Sequence, residues 1–277
     1  NARLNTKLAD FANVTASVRH STFGFGGIQS RISERTREEA TEYDVSANVN
    51  LDKFFPQSFG LQIPMYASYE RGTITPQFDP RDPDIPLDAA LNAFTDPQER
   101  ANHRDIVTDQ SVRRSLNFTN VRKNKVGENT RNHFFDISNF TFSYSYSDQV
   151  RSNFNTATYE QRLVRGGVGY NYSFPQLNIQ PFANVNFLQS PWFTLIKDFN
   201  FSPVPSSVGF RGDLQRNFVK TQYRAENLLS LEPLYEKAFT FNRIYDLQWN
   251  LTQSLALDYS ARTFAIIDEP DGELITV

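Results

Sequence analysis

The sequence predicts an all-β fold, antiparallel strands interrupted by one partly helical insertion, and three observations predict it. First, between residues 41 and 52 the apolar Tyr43, Val45, Ala47, Val49 and Leu51 alternate with Asp44, Ser46, Asn48 and Asn50. Side chains on a strand point to opposite faces with period two, and no helical period of 3.6 fits the run. Second, the alternation returns after a Phe-rich turn at 53–60, with Leu61, Ile63, Met65, Ala67 and Tyr69. Third, the 277 residues hold 25 Phe and 12 Tyr, yet the mean hydropathy is a polar -0.52. Many rings in a polar chain fit sheets that are apolar on one side only.

In chain order, Leu8, Ala12, Val14, Ala16 and Val18 alternate with Asn13, Thr15, Ser17 and Arg19 and predict a first strand. Residues 20–40 read as a loop that opens with Phe23, Gly24, Phe25, Gly26 and Gly27 and closes with a charged run holding Glu38 and Glu39. Those glycines lack the spacing of a dinucleotide loop and read as turn chemistry. Residues 1–70 are assigned to strands. From 71 to 133 the alternation stops, which predicts an insertion outside the sheet. Its first part, with Asp79, Pro80, Asp82, Pro83 and Asp84, is irregular because Pro fixes φ and Asp favours turns. Leu87, Leu91 and Phe94 then fall at helical spacing. Asp96 before Pro97 reads as an N-cap with Pro at the first helical position, starting a second helix that runs towards Leu116.

Strands resume over 134–277. Phe140, Phe142, Tyr144 and Tyr146 stand opposite Thr141, Ser143 and Ser145. Val164, Val168, Tyr170, Tyr172 and Phe174 mark the next, whose Gly166, Gly167 and Gly169 predict a bulge or bend. Leu177, Ile179, Pro181, Ala183, Val185 and Phe187 predict another, followed by a Pro- and Phe-rich loop at 189–207. Residues 208–223 read as strand and 228–237 as a short helix. A final hairpin joins Phe239, Phe241, Tyr245, Leu247, Trp249 and Leu251 to Leu255, Leu257, Tyr259 and Ala261, for about nine strands in all. The chain opens on Asn1 and stops at Val277 just as another strand begins, so a fragment is expected.

Several chemistries are not expected. A net charge of -3 gives no ground for a nucleic-acid partner. Without cysteine there is no disulfide framework, zinc ribbon or thiol nucleophile. His20, His103 and His133 are scattered and read as surface residues rather than metal ligands. Asp79, Asp82 and Asp84 offer oxygen ligands for a hard cation, but Pro80 and Pro83 favour a rigid turn. No metal site and no cofactor is assigned. Glu38 and Glu39 read as solvated surface. Asn-x-Ser/Thr occurs at Asn13, Asn117, Asn139, Asn171, Asn200 and Asn250, mostly within strands, and reads as polar-face pattern. Nucleotide-loop, nucleophile-elbow and zinc-helix motifs are absent, and no enzyme is expected.

Alternation alone leaves two architectures open: a soluble sandwich with an apolar core, or a barrel whose apolar face meets lipid. A tilted spanning strand needs about 9–11 residues. Residues 41–52 are long enough, with Phe54, Phe55 and Phe59 at their end, where an aromatic girdle would lie.

Several short motifs resemble a known family. They are Tyr43-Asp44-Val45-Ser46, Leu51 with Pro56, Ile63-Pro64, and Asp79-Pro80 through Pro83-Asp84-Ile85. Further on come Lys197-Asp198-Phe199-Asn200-Phe201 with Pro203 and Pro205, then Phe241-x-Arg243-x-Tyr245-Asp246-Leu247. Leu251-Thr252-Gln253-Ser254-Leu255 and Ile267-Asp268-Glu269-Pro270-Asp271-Gly272 complete the set. Each is weak alone; in this order they resemble the SprA (Sov) family, the outer-membrane translocon of the type IX secretion system, also required for gliding motility.

The resemblance implies a segment, towards the C-terminal part, of a very large single-chain transmembrane antiparallel β-barrel in the bacterial outer membrane. It implies a wide conduit passing folded cargo that bears a C-terminal signal domain. The implied partners are membrane lipid, the remainder of the barrel, a smaller barrel of the PorV type and a periplasmic plug protein. On this reading the lipid-facing set is Tyr43, Val45, Ala47, Val49, Leu51, Leu61, Ile63, Ala67, Phe241, Tyr245, Leu247, Trp249, Leu255, Leu257 and Tyr259. The lumen-facing set is Asp44, Ser46, Asn48, Asn50, Asn242, Gln248 and Asp258. The rival readings are a porin-like or plugged receptor barrel for small ligands, and a soluble surface β-sandwich that binds a ligand.

Overall fold

The computed structural model describes residues 1–25, 36–127, 131–182, 192, 194–225 and 231–272. Ten long strands hydrogen-bond side by side in one antiparallel sheet. They are β1 (Ala2–Leu8), β2 (Ala12–Phe25), β3 (Thr36–Asn50), β5 (Pro64–Pro76) and β6 (Asp109–Lys123). Then come β7 (Phe140–Ser152), β8 (Thr156–Ser173), β9 (Ser207–Tyr223), β10 (Leu234–Asn250) and β11 (Ala256–Ile267). The two-residue β4 (Leu61–Gln62) pairs with the end of β6. Each long strand pairs with its nearest long neighbours in sequence, the topology that simple hairpins produce. The sheet is not closed: β1 pairs only with β2 and β11 only with β10.

The registers carry the period-two pattern from strand to strand, broken by one residue at two bulges, in β6 between Phe118 and Val121 and at the start of β8 between Thr156 and Thr158. Ala47 lies between Val14 and Ala67, and the same row continues through Leu116, Tyr146 and Val164. A slip of one residue anywhere would turn a strand's apolar set to the polar side.

No second layer covers the apolar face among the described residues. Tyr43, Val45, Tyr69, Phe142, Tyr144, Leu257 and Tyr259 are all 42–56% exposed. The chain exposes 19795 Å², where a compact monomer of this mass exposes about 12,000 Å². A soluble sandwich buries that face, so the sandwich reading is not favoured.

Among the described residues, the one buried apolar cluster lies in the insertion. Helix α1 (Leu87–Ala93) and helix α2 (Pro97–Val107) bring together Leu87, Leu91 and Val107, with Ile106 and Phe154 packed against them. The expected cap is present: the Asp96 carboxylate accepts from the Gln98 N–H at 3.0 Å, with Pro97 opening the helix. The turn before α1 is rigid as expected, with Asp79 N–H donating to Ile85 C=O at 3.0 Å and Ile85 N–H to Asp82 C=O at 2.8 Å.

Several boundaries differ from the sequence reading. The insertion is shorter than 71–133, because β5 runs to Pro76 and 109–123 is β6 rather than the end of a helix aimed at Leu116. The signal in β6 is interrupted by Arg113 and Arg114, and pairing on both sides overrides the weak local pattern. Residues 20–25 and 36–40, read as loop, extend β2 and β3, so Glu38 and Glu39 lie on a strand. Gly26 and Gly27 lie outside the described residues. The first strand is a hairpin, β1 and β2, turning at Ala9 with φ 47°. Residues 234–237, read as helix, begin β10. Of the strand read at 177–187, the described part makes one bridge, Ile179 to Phe201; Ala183, Val185 and Phe187 lie outside the described residues. The loop at 189–207 holds a single helical turn, α3 (Thr194–Lys197).

One glycine is required by its surroundings. Gly60 has φ +62°, and an added Cβ would stand 2.1 Å from the Asn124 carbonyl oxygen. Gly60→Ala is therefore expected to lose more than the roughly 1–2 kcal/mol of the left-handed conformation alone. Urea titration of the full-length protein measures it, and a loss below about 0.5 kcal/mol would overturn it.

Candidate functional site on the two faces of the sheet

The candidate surface is the sheet itself, whose two faces have opposite chemistry. Of the residues assigned to lipid, Tyr43, Val45, Ala47, Val49, Ala67, Phe241, Tyr245, Leu247, Trp249, Leu257 and Tyr259 share one face by register. The sequence reading omitted much of that face: Val14, Ala16, Leu116, Phe118, Phe210 and Leu214 also belong to it. Four assigned residues are off the long strands. Leu51 opens a short 3-10 turn, Leu61 is in β4, Ile63 precedes β5 and Leu255 precedes β11. The chain turns there because Leu51 N–H donates to Ile63 C=O at 3.0 Å and the Asp52 carboxylate accepts from Ile63 N–H at 3.3 Å.

Asp44, Ser46, Asn48, Asn50, Asn242, Gln248 and Asp258 lie together on the other face. That face is laced by side-chain hydrogen bonds across strands. Gln161 donates to Asn217 at 3.2 Å, Ser207 to Gln248 at 3.2 Å and Ser260 to Asp246 at 2.9 Å. Asn13, Asn117, Asn171 and Asn250 are on the same side, which accounts for most of the Asn-x-Ser/Thr triplets as face pattern.

The apolar face also carries charge, a feature parity shows once register is known. Beyond the rows of Tyr, Phe and Val lie Arg71, Arg114, Asp148, Arg162, Glu160, Arg216, Lys220 and Lys237. Most are paired. Arg162 meets Glu160 and, at 3.9 Å, Asp148; Arg216 lies 2.6 Å from Glu269; Lys237 donates to Pro270 C=O at 2.6 Å; Lys220 stands over the Tyr235 ring. Arg243 stacks on Phe241 inside the apolar run of β10.

The histidines correct one expectation. His103 is buried, its Nε2 2.6 Å from Asp79 Oδ2 and its ring 5.0 Å from Phe94, so it fastens α2 to the Asp79 turn. His20 is on β2, 3.0 Å from the Thr41 hydroxyl. His133 is exposed in the connection between β6 and β7, where its N–H donates to Asp136 at 2.6 Å. Lys125 also donates to Asp136, and these bonds hold that carboxyl below its ordinary value of 3.8. A lowered acid stabilises above its unfolded value and loses that contribution as pH falls through the folded one. Acid is thus expected to speed hydrogen exchange in 131–139, after correction for intrinsic rates, while Asp136→Asn removes the pH dependence. An unchanged pH profile in that variant would contradict the assignment.

The fold is thus an open antiparallel sheet, a single-layered wall with an apolar and a polar side and one small helical insertion. Residues 1–91 match the SprA_N family, described as motility related/secretion protein. The match points to a motility and secretion protein family and bears out the resemblance; the chain is consistent with a fragment of SprA. No curated protein matches the chain.

Proposed function

We propose that this chain is part of the outer-membrane protein-conducting channel of the type IX secretion system, a wall segment past which folded cargo reaches the cell surface. The observation that carries this reading is the apolar face over ten strands, uncovered among the described residues and backed by a hydrogen-bonded polar face. Strands of up to 18 residues exceed the roughly 9–11 needed to cross a bilayer. Lipid covers such a face without a second protein layer, and water wets the other. The free edges at β1 and β11 require further strands, because unpaired backbone is not tolerated in lipid. The remainder of the barrel supplies them, and diameter grows with strand number until a folded protein fits. The smaller PorV-type barrel, the periplasmic plug and cargo with a C-terminal signal domain are the partners of that assembly.

A photo-crosslinking amino acid tests this in the full-length protein. At Asn48 it is expected to capture cargo bearing the signal domain in transit, and at Val49 to capture lipid. Cargo captured equally at both positions, or at neither, would overturn the reading; uptake of small solutes without captured cargo would favour a porin.

A further inference from the structure

We propose that Tyr43, Tyr69, Arg71 and Arg114 form a site for the phosphate headgroup of an anionic phospholipid, at the border of the apolar band. The inference rests on the membrane reading above. Tyr43 stands directly opposite Arg71 on β5, and Tyr69 directly opposite Arg114 on β6. Two tyrosines and two arginines therefore make a checkerboard across three strands, all on the apolar face. Directly opposed side chains on an antiparallel sheet have Cβ atoms about 4.5–5.5 Å apart, and diagonal neighbours such as Arg71 and Arg114 about 7–8 Å or less. All four are exposed, Tyr43 by 49% and Tyr69 by 42%.

What singles the pair out is the absence of partners. Arg162, Arg216, Lys220, Lys237 and Arg243 on this face each meet a carboxylate, a carbonyl or a ring. Arg71 and Arg114 have neither hydrogen bond nor ion pair among the described residues. Asp148 lies opposite Arg114 in register but turns to Arg162. Two like charges on diagonal positions repel, and an anion between them reverses the sign. A phosphate presents oxygens to both guanidinium forks, while the amphipathic tyrosines border the polar headgroups and Val45 the acyl chains. Glu42 and Glu70 belong to the opposite face, and Asp148, the acid opposite Arg114 on this one, faces Arg162 as well, so the arginines outnumber the acid here.

The test uses the full-length protein in nanodiscs of phosphatidylcholine with a minor fraction of phosphatidylglycerol, counting retained phosphatidylglycerol by native mass spectrometry. Arg71→Gln or Arg114→Gln is expected to weaken retention about fivefold, and the double variant about thirtyfold, the size of a basic side chain at an anionic surface. Arg113→Gln, the neighbouring arginine on the polar face, should leave retention unchanged. Equal loss from Arg113→Gln, or undiminished retention in the double variant, overturns the site. So does loss of a copurifying protein in the double variant with lipid retention intact. These results leave the membrane reading standing; a wild-type protein monodisperse without detergent overturns both.

Discussion

On the membrane reading proposed above, Phe142→Lys is expected to cost the full-length protein up to about 2–4 kcal/mol of folding into a bilayer, the range for a lysine on a lipid-facing strand near the midplane. Phe142 lies within the run Phe140–Tyr146 on β7, opposite Val168, and is 47% exposed. In water a lysine at so exposed a site changes stability by no more than about 0.5 kcal/mol. The size of the loss therefore reports which medium touches the face. Ser143→Lys, one residue away on the polar face, is the control and should fall within about 0.5 kcal/mol plus its one bond to the Asn120 N–H at 3.2 Å. Urea-titrated folding into vesicles measures both. Equal losses at the two positions would show that the faces do not differ in their surroundings.

Leu91→Ala should melt the helical insertion while leaving the sheet intact. Leu91 is 3% exposed, and only Leu87 and Val107 share its buried cluster. A buried Leu→Ala change costs about 2–5 kcal/mol, and so small a cluster has little else to hold it. Native-state hydrogen exchange should show the amides of residues 100–108 losing protection while those of β3 keep theirs. His103→Ala should act in the same direction by leaving the Asp79 carboxylate, among the described residues, with only the Arg81 N–H, 2.9 Å away, at about 1–3 kcal/mol. Unchanged protection of α2 in Leu91→Ala would mean that contacts other than this cluster secure the insertion.

Local chemistry was legible in the chain wherever one residue's neighbours decide its conformation. The period-two runs at 43–49 and 140–146, the Asp96–Pro97 cap and the Asp79–Ile85 turn could be read directly, because parity, capping and fixed φ act over a few residues. β6 was not, since its Arg113 and Arg114 interrupt the pattern and only pairing with β5 and β7 makes them strand. His103 was misjudged for a related reason: its partner Asp79 is 24 residues away, and no local rule brings them together.

By itself the sequence determined that strands form, that each has a greasy and a wet side, and that a short helical pair stands apart. Only the tertiary structure decided that all those sides align across ten strands and that, among the described residues, the apolar one is left uncovered and two arginines there are without partners. Side-chain alternation is a property of one strand. Register, edge and cover are properties of how strands meet, and hydrogen bonds between distant segments set them.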